Sequence, residues 1–173
     1  MAAAAPTVAK SPPALIPPAG PTPGGALPLS SIDKTAAVRV SVDFIQVFPP
    51  SSDGGGVDQV ARMREGFARE LVPYYPVAGR IAEPSPGDLV VDCTGEGIWF
   101  VEAAASCSLA DVNGLERPLL IPKVELIPRP PPEEKLDDLI LMAQVRTRFT
   151  THVVGRLLPI QSNKTDERLI VDS

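Results

Sequence analysis

His152 is the only histidine in the chain, and imidazole is the side chain whose ordinary pKa suits proton transfer near neutral pH. A general base is commonly held in place by a carboxylate. Here the following residues run Val153-Val154-Gly155-Arg156, which places an arginine four positions on. That context reads as a strand end or a turn. Cys93 and Cys107 are the two thiols. Neither has CxxC spacing and no cation stands close in sequence to hold a thiolate, so both read as inert core or near-core residues and no metal site is expected. Tyr74 and Tyr75 stand between Pro73 and Pro76. They could line a pocket, but at a helix end core anchoring is the expectation. Arg80 could meet an anionic group, with a structural ion pair as the expectation. Trp99 reads as packing. Lys34 and Arg39 make no phosphate cradle, and Gly54-Gly55-Gly56 lacks the lysine of a P-loop, so it reads as a linker.

These side chains belong to a chain of 173 residues with a net charge of −5. The acidic balance argues against a nucleic-acid partner, which asks for a basic face. The length suits one domain that buries about 70% of its unfolded surface. Hydrophobic content of 44% and charged content of 21% are ordinary for a soluble globular protein. Proline is not: its 21 copies are over twice the usual share of about 5%. Met1-Ala2-Ala3-Ala4-Ala5-Pro6 has no charged leader, and Pro12, Pro13, Pro17 and Pro18 interrupt the apolar run, so no signal peptide is expected. There is no arginine before Arg39 to suggest a transit peptide, and no run approaches the roughly 18 apolar residues that span a bilayer. Two cysteines without an export signal point to a reducing, cytoplasmic setting.

The elements that must position these groups follow from periodicity. Residues 1–29 are rich in Pro, Ala and Gly and read as extended chain lying on a surface. Leu29-Ser30-Ser31-Ile32-Asp33 reads as a turn. Val38, Val40, Val42 and Phe44 alternate with polar residues and predict a strand over Val38–Phe48. A helix is expected over Asp58–Leu71, with Asp58 as N-cap and Val60, Met63, Phe67 and Leu71 as its apolar stripe. Gly66 costs such a helix about 1 kcal/mol, with close packing against a neighbour as the candidate reason. Pro73 stops it. Leu89–Cys93 and Ile98–Ala103, joined by Thr94-Gly95-Glu96-Gly97, predict a hairpin. Leu109–Val112 suggests a short helical turn, and Pro118–Pro132 a proline-rich connector. Glu133, Glu134, Asp137 and Asp138 read as a solvated acidic loop. Leu139–Phe149 predicts a strand, hairpinned through Thr150-Thr151 to another over His152–Leu158. Residues 159–173 are polar without an apolar period. The expected organisation is an extended segment 1–29, a partial domain 30–158 and a divergent tail 159–173.

Four pieces, in order, resemble the N-terminal part of the plant BAHD acyltransferases. Pro21-Thr22-Pro23 followed by Leu29-Ser30-Ser31-Ile32-Asp33 is similar to the family's opening. Tyr75-Pro76-Val77-Ala78-Gly79-Arg80 resembles its Y-P-x-A-G-R segment. Asp92-Cys93-Thr94-Gly95-Glu96-Gly97-Ile98-Trp99-Phe100-Val101-Glu102-Ala103 resembles its D-C-x-G-E-G-x-x-F-V-E-A segment. Gln144-Val145 with Arg148-Phe149-Thr150 resembles the strand leading to its active site.

The resemblance implies an α/β fold: a mixed β-sheet with a flanking helix, part of a chloramphenicol-acetyltransferase-like domain. It implies acyl-CoA as co-substrate with no bound cofactor or metal, and an alcohol, phenol or amine of a plant metabolite as acceptor. It makes Tyr75, Pro76, Ala78, Gly79 and Arg80 a structural motif. Catalysis in the family rests on H-x-x-x-D-G, where the histidine removes the acceptor's proton as it attacks the thioester. Counting on from Val153-Val154-Gly155, that histidine falls near Ile160 and the aspartate near Lys164, so neither is present. The chain thus reads as truncated before the motif and inactive alone, with the tail from Leu157 a splice product, frameshift or gene-model artefact. The alternative is a non-catalytic interaction module that associates with a full-length relative.

Overall fold

The computed structural model describes residues 6–35, 42–47, 59–147 and 152–157. In chain order the elements are β1 (Val8–Lys10), β2 (Ala14–Ile16), β3 (Ala26–Pro28), β4 (Val42–Val47), α1 (Gln59–Glu70), β5 (Arg80–Ser85), β6 (Asp88–Asp92), β7 (Ile98–Ala105), α2 (Lys123–Leu126), β8 (Leu141–Thr147) and β9 (His152–Leu157). They form a mixed α/β arrangement of two sheets. The larger runs β1-β7-β8-β9-β4, with β2 also on β7; the smaller runs β3-β6-β5.

The organising strand is β7. Ile98, Phe100, Val101, Ala103 and Ala105 are all nearly inaccessible to solvent. Residues on both faces are buried, and a strand covered on both sides reads as a continuous apolar run. Its one edge takes β1 and β2 end to end, Val8 opposite Ala105 and Ile16 opposite Ile98. Its other edge takes β8 in parallel, Trp99 opposite Met142 and Val101 opposite Gln144. β9 folds back antiparallel on β8, as the sequence predicts, and β4 closes the series against β9. Of the strand expected over Val38–Phe48, only Val42–Val47 lies within the described residues.

The helix falls where its stripe predicts it. Val60, Leu71, Ile98, Phe100, Ala143 and Val145 form a core between α1 and the larger sheet, with Met63 and Phe67 against it. Phe67 meets Phe100 edge-on, ring centroids 6.2 Å apart. Gly66 does not pack as expected: a methyl added there meets nothing within 4 Å. Gly66→Ala should therefore stabilise the protein by about 0.5–1 kcal/mol, through helix propensity and a less flexible unfolded chain. A raised urea midpoint with an unchanged slope is the expected reading.

Two expectations are corrected. The hairpin between Leu89–Cys93 and Ile98–Ala103 does not form. β6 pairs with β5 and β3 in the smaller sheet, while β7 crosses into the larger one. The five residues 93–97 that link β6 to β7, with positive φ at Gly95 (68°) and Gly97 (106°), suit a sheet-to-sheet crossing as well as a tight turn, and the sequence signal is the same for both. The proline-rich leader is extended, but it is woven into both sheets through β1, β2 and β3, and Ile16 is only 2% exposed. Short strands at a sheet edge tolerate proline because only one side of each must pair. The connector around Pro118–Pro132 likewise buries Ile121 and Leu126, in a third cluster with Val112.

Candidate functional site

The segment singled out by its prolines and aromatics sits where the two sheets meet. After α1, the chain turns through a 3-10 helix over Tyr75–Ala78, with Val77 N–H donating to the Tyr74 carbonyl at 2.9 Å and Gly79 N–H to the Pro76 carbonyl at 3.0 Å. Successive side chains of so tight a turn face different directions. Tyr75 packs with Val91, Cys93 and Ile140 beneath the smaller sheet, whereas Tyr74 is 45% exposed and does not anchor the core as expected. Val77 touches both clusters, so this turn is the seam between the two hydrophobic cores.

Gly79 (φ −94°) is needed for proximity, not for a left-handed backbone. A Cβ there would run into the Asp92 carbonyl oxygen of β6 and stand 3.2 Å from Cys93 Cα. Arg80 follows, 13% exposed along its side chain. Its Nη1 donates to the Gly79 carbonyl at 2.9 Å and the Gly97 carbonyl at 3.0 Å. Nη2 lies 3.0 Å from Glu96 Oε2 without an aligned hydrogen bond, and Nε lies 3.7 Å from Glu134 Oε2. One guanidinium thus ties the turn, the crossing loop and the acidic loop together. Glu134 is part of this network, not a solvated charge.

A second polar cluster joins the sheet to α2. Gln144 is 1% exposed in the middle of β8. Its Nε2 donates to the carbonyls of Glu125 and Leu126, each at 3.2 Å. From β1, Lys10 Nζ donates to the carbonyls of Val124 and Ile127, each at 2.9 Å. Four consecutive carbonyls at the end of a short helix are thereby capped by two side chains of the sheet, one of them cationic. Lys123 Nζ pairs with Asp43 of β4 at 2.8 Å. The sequence signal for this cluster was a single amide, Gln144, inside an apolar strand; Lys10 gave none, because it lies 114 residues from Val124. On the other face, Arg64 of α1 pairs with Glu102 and lies 4.8 Å over the Phe100 ring centroid.

The groups first considered for chemistry are not brought together. His152 opens β9, with its backbone opposite Arg146 on one side and Val47 on the other. Ile160 and Lys164 lie outside the described residues. Burial and the neighbouring Asp92 charge push the Cys93 thiol pKa up, which keeps it protonated and unreactive. Among the described residues no group of three His, Cys, Asp or Glu could hold a metal ion. None of the described helices is long and apolar enough to cross a membrane.

A family model described as the Transferase family matches residues 7–149. The chain is 48% identical over 153 residues to acyl transferase 8 of Oryza sativa subsp. japonica, covering 86% of this chain and 35% of that protein. It is 47% identical over 148 residues to a myricetin 3-O-glucosyl 1,2-rhamnoside 6'-O-caffeoyltransferase of Crocosmia x crocosmiiflora, covering 83% and 33%. Its fold is shared with the crystal structure of vinorine synthase, with a TM-score of 0.60 at 21% identity over 87% of this chain and 38% of that one. The chain spans about a third of the length of these curated relatives.

Proposed function

Because the chain belongs to the Transferase family, the plant acyltransferases of the BAHD type, we propose that it supplies the N-terminal scaffold for an acyl-CoA-dependent transfer to the hydroxyl or amine of a plant metabolite, in the cytoplasm. The match over residues 7–149 carries this reading. In such a transfer the acceptor oxygen or nitrogen attacks the thioester carbonyl. A base takes the acceptor's proton, the carbon–sulfur bond breaks, and the proton ends on the departing CoA thiolate. Tyr75, Pro76, Ala78, Gly79 and Arg80 serve as scaffold, holding the two sheets in register, and none of them is a reacting group.

The base is the missing part. His152 has Arg156 and not a carboxylate four residues on, and the motif's histidine and aspartate would fall near Ile160 and Lys164. The 173-residue polypeptide should therefore transfer no acyl group. Incubation with acetyl-, benzoyl- and hydroxycinnamoyl-CoA and a panel of alcohols, phenols and amines, read as thiol release, should stay at the blank rate, and His152→Ala should leave it there. Turnover that vanishes in His152→Ala would make His152 the base and overturn this reading.

A second reading, a non-catalytic module that associates with a full-length relative, rests on β4. Among the described residues this strand ends the larger sheet, and Val42, Phe44 and Val47 are 53%, 41% and 37% exposed. Size-exclusion chromatography with an intact relative should then show a mixed complex, weakened by Phe44→Lys. Two independent peaks would exclude association.

A further inference from the structure

We propose that Gln144 and Trp99 frame an internal binding site for a single water molecule between the larger sheet and the α2 turn. The proposal is independent of the acyltransferase reading and rests on the polar inventory of one sheet face.

The orientation of the Gln144 amide is fixed by its partners. The Glu125 and Leu126 carbonyls can only accept, so the nitrogen must face them; a turned amide would set oxygen against oxygen twice. The other end, Oε1, is then directed elsewhere. It is buried and has no hydrogen-bond partner among the described residues. Trp99 Nε1 is in the same condition: it is a buried donor with no acceptor among them. Buried polar atoms in native proteins are overwhelmingly paired with protein or with ordered water, so two orphans on one strand pair ask for a common explanation.

The register places the two on one face. Trp99 lies opposite Met142, and Val101 lies opposite Gln144. Residues two apart on a strand point the same way, so Trp99, Val101, Met142 and Gln144 share the face that carries α2. Trp99 and Gln144 are diagonal neighbours across this parallel pair; with strands about 4.8 Å apart and a rise of about 3.3 Å per residue, their Cα atoms lie roughly 8 Å apart, which long side chains can span. An indole nitrogen only donates, and the free amide oxygen only accepts. A water molecule accepts from the first and donates to the second, and has a further bond to give to the carbonyl-rich α2 turn, matching the roughly three bonds typical of a buried water.

Trp99 is the only tryptophan, so the nitrogen-15-labelled chain gives one indole resonance. In the wild-type protein that proton should show a direct cross-relaxation peak to water, with the sign of a long-lived bound molecule, and should exchange with bulk solvent slowly. Gln144→Leu should remove the cross-peak and move the indole proton upfield. Trp99→Phe in an otherwise wild-type chain should preserve the far-ultraviolet spectrum while lowering the unfolding midpoint. Gln144→Leu releases two carbonyls as well and could fail to fold, so the wild-type spectrum decides. The absence of a water cross-peak overturns the proposal. So does an indole proton that responds to Gln144→Leu without any contact to water, because that means the two side chains bond directly.

Discussion

Gly97→Ala is expected to lower stability by about 4 kcal/mol, the sum of a strained backbone (roughly 1–3) and an overpacked contact (roughly 1–3). The two contributions come from separate features. The φ of Gly97 is 106°, beyond the left-handed well that side-chain-bearing residues visit. A Cβ there would also run into the Ile16 carbonyl oxygen and stand 2.8 Å from Pro17 Cα, and both are backbone. Ile16 cannot retreat, because it is paired with Ile98 in β2 and buried at 2%. The loss is a large part of the 5–15 kcal/mol that holds an ordinary domain together. Gly95→Ala is the control. Its φ of 68° lies in the left-handed well and its nearest obstacle is the Thr22 hydroxyl at 3.2 Å, so it should cost about 1–2 kcal/mol. Urea unfolding followed by circular dichroism measures both, and a Gly97→Ala loss no larger than that of Gly95→Ala contradicts the account. The same substitution at Gly66 should act with the opposite sign.

Arg80→Met is expected to cost about 3 kcal/mol, within the range for losing a largely buried, charge-assisted network. It strips donors from the Gly79 and Gly97 carbonyls and leaves Glu134, 24% exposed along its side chain, beside an empty position. Arg80→Lys should recover only a minor fraction. A single ammonium cannot reach two carbonyls and two carboxylates that a planar fork spans at once. Glu96→Gln should change stability by less than about 1 kcal/mol, because that carboxylate is 48% exposed and well screened. Midpoints for the four proteins under one set of conditions test the ranking. If Glu96→Gln equals Arg80→Met, the surface contact carries the network and not the carbonyls.

The sequence made the local elements legible and left their pairing obscure. The α1 stripe was readable because Val60, Met63, Phe67 and Leu71 recur at helical spacing, and the pair β8 and β9 because two apolar runs flank Thr150-Thr151 in the sequence. β6 and β7 were misjoined because Gly95 and Gly97 announce a change of direction without saying into which sheet. The leader hid its strands because proline content says extended and nothing more; the register of Val8 on Ala105 is set by a strand some hundred residues away. Within the candidate site, Arg80 was visible as a charge next to Gly79, but its partners Gly97 and Glu134 were not. The carbonyl clamp of Lys10 and Gln144 was invisible for the same reason: backbone acceptors carry no signature in a side-chain alphabet. His152 was read from sequence as a strand-end or turn residue, and its backbone opens β9.

The end-to-end seating of β1 and β2 on β7 also bears on the order of assembly. β1 is made well before the strand it pairs with, since Thr7 bonds Ser106 across a separation of 99. Loops that long are slow to close. Until β7 has been synthesised, β1 and β2 have no edge to join and must remain unpaired. Proline suits that interval. It removes the backbone donor at eight positions of residues 1–29 and keeps the chain extended, close to the shape β1 and β2 take along β7.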